Sequence, residues 1–228
     1  MATKVQLLFL LTALFAPACS NAHEPNFENF TRGMNVYLEK RGALCLGKNS
    51  WPLVVSDREA AAGQRDGLQM PVLERLGLVS SSAVTVESQT EDGVVTEPGR
   101  SYQLTDAGRR YYVVQRSPAR DGAARQQGDF CPVKLSLDNI ARFELDAEAA
   151  RAEHAVVSYR YRVSAPDWMK DAEAQRVFPA VAQVIAGASK AELKEGFTKT
   201  AAGWIANDVV AENPAAAPKA GERVAERP

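Results

Sequence analysis

The stretch Met70–Tyr112, MPVLERLGLVSSSAVTVESQTEDGVVTEPGRSYQLTDAGRRYY, changes hydrophobic period more than once. It opens on a short apolar helix. Met70, Leu73 and Leu76 recur every third residue along one side, and Gly77 closes the turn. Pro71 suits a first helical turn, where its missing N–H costs nothing. From Leu78 the pattern becomes extended. Val84 and Val86 alternate with Thr85 and Glu87, as a half-buried strand requires. Thr90-Glu91-Asp92-Gly93 reads as a turn, and beyond Glu97-Pro98-Gly99-Arg100 the alternation returns at Tyr102 and Leu104. Thr105 is placed to cap a last helix carrying Tyr111 and Tyr112. The expectation is helix, hairpin, capped helix.

Upstream, Phe27, Phe30, Met34, Tyr37 and Leu38 mark one face of a helix from Asn26 to Arg41, with Gly42 as its stop. The apolar ALCLGKNSWPLVV predicts a brief strand and a turn at Gly47–Ser50, with Trp51 and Val54 facing inward. Ser56-Asp57-Arg58-Glu59 has capping-box spacing and should open a short helix through Ala62, ended by Gly63. Gln64–Gln69 reads as a polar link.

LERLGLV, a variable polar hairpin and YQLTDAGRRYY together resemble the second half of a winged-helix domain. The resemblance covers about a fifth of the chain. It implies that the first piece ends the third helix, the hairpin is the wing, and the last piece is the closing strand and helix. The two upstream helices would complete a three-helix core. The strand around Cys45 and the length of the wing depart from the pattern.

Downstream, Ser117–Gly128 is rich in Arg, Gly, Ala and Gln without apolar periodicity, which reads as an exposed linker. FCPVKLSL, IARFEL and AVVSYRYRV follow as strands. In the last, Val157, Tyr159 and Tyr161 share one face and Ser158, Arg160 and Arg162 the other. A helical region begins at Pro166–Met169 and continues through Ala172–Ile185, where Pro179 should break or restart it. Leu193–Thr198 and Gly203–Ile205 close as short strands. The resulting expectation is an α+β chain: signal peptide 1–22, winged-helix-like domain 23–116, linker 117–128, a small antiparallel sheet with one or two helices over 129–210, and a disordered tail at 211–228.

Compartment follows from the first residues. Lys4 precedes the apolar run Val5–Phe15, and small residues lead to Ala22, the pattern of a secretory signal. The run is shorter than the ~20 residues a spanning helix needs. A cut after Ala22 would release the chain. A cut before Cys19 would resemble a bacterial lipoprotein, with Cys19 lipidated. Both routes use up Cys19 and leave Cys45 and Cys131, which in an exported chain are expected to form a disulfide.

Composition removes other classes. A formal net charge of -1 leaves no strongly charged partner as the organising force, and two histidines leave little for a histidine-rich metal site. Arginines at 100, 109, 110, 116, 120 and 125 give only a mild basic bias, and LERLG adds only Arg75. The carboxylate pairs Glu91/Asp92 and Glu144/Asp146 lack a partner that would separate their pKa values. His154, beside Glu153, has no nucleophile spacing around it. Neither a catalytic residue nor a cofactor nor a metal is expected. Tyr159, Arg160, Tyr161 and Arg162 are the candidate binding surface, because aromatics beside arginines are common in recognition faces. The expectation is a periplasmic or cell-envelope binding or accessory protein, soluble or lipid-anchored, whose partner is an envelope protein or small ligand. A membrane-anchored DNA-binding regulator and an envelope enzyme stand as alternatives.

Overall fold

The computed structural model describes residues 21–90, 93–118, 124–146 and 153–212. The leader with Cys19, the carboxylate pair Glu91 and Asp92, Arg120, and the tail beyond 212 lie outside the described residues. Elements run in the order α1 (Phe27–Arg41), β1 (Ala43–Leu44), β2 (Leu53–Ser56), α2 (Asp57–Ala61), α3 (Arg65–Arg75), β3 (Val79–Thr90), β4 (Gly93–Leu104) and α4 (Asp106–Arg109). Then come β5 (Tyr112–Pro118), β6 (Ala124–Phe130), β7 (Val133–Leu145), β8 (His154–Ser164) and a 3-10 turn at Asp167–Lys170. α5 (Ala172–Val177), α6 (Pro179–Ala186), β9 (Leu193–Thr200), β10 (Gly203–Ala206) and α7 (Asn207–Glu212) complete the described elements. The class is mixed α+β, and every described strand pairing is antiparallel.

Local chemistry sets the helix starts. Asn26 Oδ1 accepts the Asn29 N–H at the head of α1, and Ser56 with Glu59 forms the full capping box of α2. Pro179 sits at the start of α6, so the helical region breaks and restarts there. α3 corrects the expectation. It begins at Arg65, inside the stretch read as a link, and Pro71 lies within the helix. Close packing explains the earlier start: a Cβ on Gly67 would lie 2.7 Å from Ala60 Cα, so α3 runs tight against α2. A second correction is Val54, which faces solvent while Val55 points inward.

The strands form a five-stranded sheet ordered β1-β7-β8-β9-β10, a three-stranded sheet ordered β2-β4-β3, and the ribbon β5-β6. Tyr112 begins β5 instead of continuing a helix. The segment read as a linker, 117–128, supplies ladder residues: Ser117 pairs with Arg125 and Val114 with Gly128. FCPVKLSL and IARFEL merge into the single strand β7, whose register shifts at Leu137/Asn139 and Ile140/Arg142.

Two cores result, and neither respects the division at 117–128. In the first, Met70 and Leu73 of α3 pack with Val79, Leu104 and Phe130, and Met169, Phe178 and Val181 from the far half of the sequence complete it. In the second, Phe30, Met34 and Leu38 of α1 lie on Leu135, Val157, Tyr159, Phe197 and Trp204 of the five-stranded sheet. Leu44 and Val163 pack against both. α1 thus serves the later sheet, not the helices that follow it. The Cys45–Cys131 disulfide, with a sequence separation of 86, sits where the cores meet. Cys45 follows β1 and Cys131 precedes β7, and these strands pair through Leu44 opposite Val133. The bond therefore locks the end of one ladder.

Candidate functional site

A groove of about 300 Å³ runs between α1 and β10. On α1, Asn29, Gly33, Val36 and Lys40 fall at spacings of three and four, so they share one flank of the helix, beside the apolar face that reaches the sheet. Arg32 joins them at the rim. The facing wall is Gly203, Trp204 and Ile205 of β10, with Val209 of α7 and Ala22 at one end. Gly33 sets the distance between the walls, because a Cβ there would meet Trp204 O at 2.5 Å and Phe197 Cε1 at 2.8 Å. Phe30 stacks obliquely on Trp204 with ring centroids 5.0 Å apart, so helix and strand are held through their buried rings.

The Ala22 end of the groove is closed by polar contacts. Trp204 Nε1 donates to His23 O at 3.2 Å. Asn29 Nδ2 donates to Asn21 O and to Glu24 O, both at 2.9 Å. Asn21 also accepts the His23 N–H on Oδ1 and the Glu24 N–H on its carbonyl. Asn29 is buried, and its Oδ1 has no hydrogen-bond partner. Arg32 pairs with Glu28 at 3.2 Å, both side chains being exposed. Val36 is 42% exposed, a bare apolar surface on the wall.

The surface expected at Tyr159, Arg160, Tyr161 and Arg162 divides. The alternation is as the sequence indicated, but the tyrosine face is the inner one. Tyr159 and Tyr161 are buried beneath α1 and α6, and Tyr161 Oη donates to Val184 O at 3.0 Å. Burial, with the Glu195 carboxylate nearby, pushes the Tyr159 phenol up to about 12. Arg160 and Arg162 lie on the other face. Arg162 donates to Leu137 O at 2.8 Å and approaches Asp138 at 3.9 Å, and Arg160 approaches Glu192 at 4.0 Å. The four residues do not form one aromatic and cationic patch.

His154 opens β8 and is exposed. It borders a more polar concavity of about 420 Å³ with Glu144, Asp146 and Asn207. Its Nδ1 lies 3.2 Å from Thr198 Oγ1, whose hydroxyl donates to Asn207 Oδ1 at 2.8 Å. Among the described residues no group of three or more His, Cys, Asp or Glu is placed to hold a metal ion, and no helix is long and apolar enough to cross a membrane.

One buried charge escaped the sequence reading. Lys48 is fully buried, and its ammonium donates to Asp66 Oδ1 and, at 2.6 Å, to Gln69 Oε1. Its backbone N–H donates to Asp129 Oδ1 at 2.7 Å, and Gln69 Nε2 continues to Val177 O at 2.8 Å. Burial pulls the Lys48 ammonium below the usual lysine range, opposed by Asp66. Burial pushes the Asp66 carboxyl up, but the Lys48 ammonium overrides it and holds the group below the usual carboxylate range. This cluster ties α3, α5 and the strand before Cys131 together. The groove residues had one sequence signal, Gly33 inside a helical pattern, which marks a close approach. Comparison with protein-family models, with curated proteins and with solved structures finds no match.

Proposed function

We propose that the chain is an exported, bacterial-type cell-envelope protein that acts as a non-enzymatic binding or accessory module, holding its ligand in the groove between α1 and β10. The groove carries this proposal. It is an open apolar concavity on a rigid helix and strand, beside two cationic side chains. Export is supported by the leader pattern and by the Cys45–Cys131 bond, since disulfides persist in oxidising compartments.

A winged-helix-like arrangement is supported by the run β2-α2-α3-β3-β4 with sheet order β2-β4-β3 and its long hairpin. α1 departs from that arrangement by packing on the other sheet. Against nucleic acid stands α3, whose Arg75 is engaged by Asp171 at 2.7 Å and Glu173 at 3.0 Å. The helix is also covered along one side by α5.

Asn21 accepts three hydrogen bonds, one from the buried Asn29, and Ala22 lines the groove. This favours a cut before Cys19, which keeps both residues, over a cut after Ala22. Fractionation of a bacterial host expressing the full chain, with alkylation before reduction and mass measurement of the mature N-terminus, tests both points. The expected product lies outside the inner membrane, starts at a lipidated Cys19, and has Cys45 and Cys131 alkylatable only after reductant. Full-length chain in the cytosol with both thiols open overturns the proposal.

A further inference from the structure

Resting on that proposal, we infer that the α1–β10 groove takes one long-chain carboxylate, with the hydrocarbon laid against Val36, Trp204, Ile205 and Val209 and the carboxylate at the rim formed by Arg32 and Lys40. The walls are apolar, while the lining side chains include two cations and no Asp or Glu, on a chain of net charge -1. That local asymmetry selects an anion with a hydrocarbon tail over a neutral apolar ligand. The Arg32–Glu28 pair is exposed, and such pairs are weak enough to be exchanged for a ligand carboxylate. Size selects the number of tails. About 300 Å³ is the lower end of the range for small-ligand sites, which suits one chain and not a diacyl lipid.

The probe is laurate, titrated below its micelle concentration into the mature protein, stripped of non-covalently bound lipid and with its disulfide intact, and read by calorimetry. Dodecanol and phosphatidylglycerol vesicles are the comparison arms. Laurate is expected to bind saturably at one site. Arg32→Gln/Lys40→Gln should weaken laurate about tenfold through loss of the charge contacts while leaving dodecanol unchanged. Val36→Glu, a substitution at an exposed position, should abolish saturable binding of both. Circular dichroism and melting of each variant show that the fold is intact. No saturable laurate binding, or laurate binding that survives Val36→Glu, overturns the inference. So does binding that ignores the Arg32/Lys40 change, and so does vesicle binding that laurate does not displace, which would assign a membrane surface instead. Failure of the export proposal is read separately, in the fractionation.

Discussion

The Lys48–Asp66 contact makes an asymmetric prediction about two substitutions that remove the same ion pair. The Lys48 side chain is 0% exposed and the Asp66 side chain 31% exposed. In Asp66→Asn the ammonium stays buried beside Gln69 without its counter-charge, which costs about 3–5 kcal/mol. In Lys48→Met the charge itself disappears into a shape of similar length. Asp66 can then rehydrate or lean on Arg65 at 3.2 Å, and the main loss is the unpaired Gln69 Oε1, about 1–3 kcal/mol. Asp66→Asn should therefore be the worse of the two, and adding Lys48→Met to it should restore stability by removing the stranded charge. At about 2–4 °C per kcal/mol for a chain of this size, the single Asp66→Asn melts roughly 6–20 °C lower. Urea denaturation of the oxidised protein measures all three. The sign with pH follows from Asp66, whose folded carboxyl is held below its unfolded value. Its contribution is complete above the unfolded carboxylate pKa and is lost as pH falls through the folded one, a slope that Asp66→Asn should lack. A double variant less stable than Asp66→Asn alone, or Lys48→Met the worse single change, refutes the reasoning.

Reduction of Cys45–Cys131 opens a loop closed over a sequence separation of 86, worth about 4–5 kcal/mol in the chain-entropy picture, so melting with and without reductant should differ by roughly 8–20 °C. Gly33→Ala puts a methyl 2.5 Å from Trp204 O and should cost about 1–3 kcal/mol, while Val36→Ala on the open wall should stay within about 0.5 kcal/mol; denaturant midpoints compare them. A chain starting at His23 lacks the Asn21 acceptors and should be about 1–2 kcal/mol less stable than one starting at Ser20, since the buried Asn29 amide loses a partner; equal midpoints would remove the structural preference for a cut before Cys19.

Helix α1, the capping box at Ser56 and Glu59, the restart at Pro179 and the alternation through Tyr102 and Leu104 were legible because each depends on residues within a few positions. The pairing of Cys45 with Cys131 was legible by elimination once export was assumed. The helix start at Arg65 was not, because it depends on Gly67 lying against Ala60. Nor was the strand character of Tyr112–Pro118 and Ala124–Phe130, whose ladder partners are each other. The groove was legible only as an out-of-place glycine, since its second wall lies some 170 residues further along the chain, at Gly203–Ile205.

The sequence by itself determined which faces of α1 and β8 alternate, where α1, α2 and α6 begin, and which two cysteines remain to pair in an exported chain, because those are properties of period and local hydrogen bonding. Only the tertiary structure decided that the Tyr159–Tyr161 face turns inward, that α1 covers the later sheet, and that Lys48 is buried against Asp66. The physical reason is that an apolar stripe states that it must be covered without stating by what, and the covering surface is chosen by packing between segments far apart in the chain.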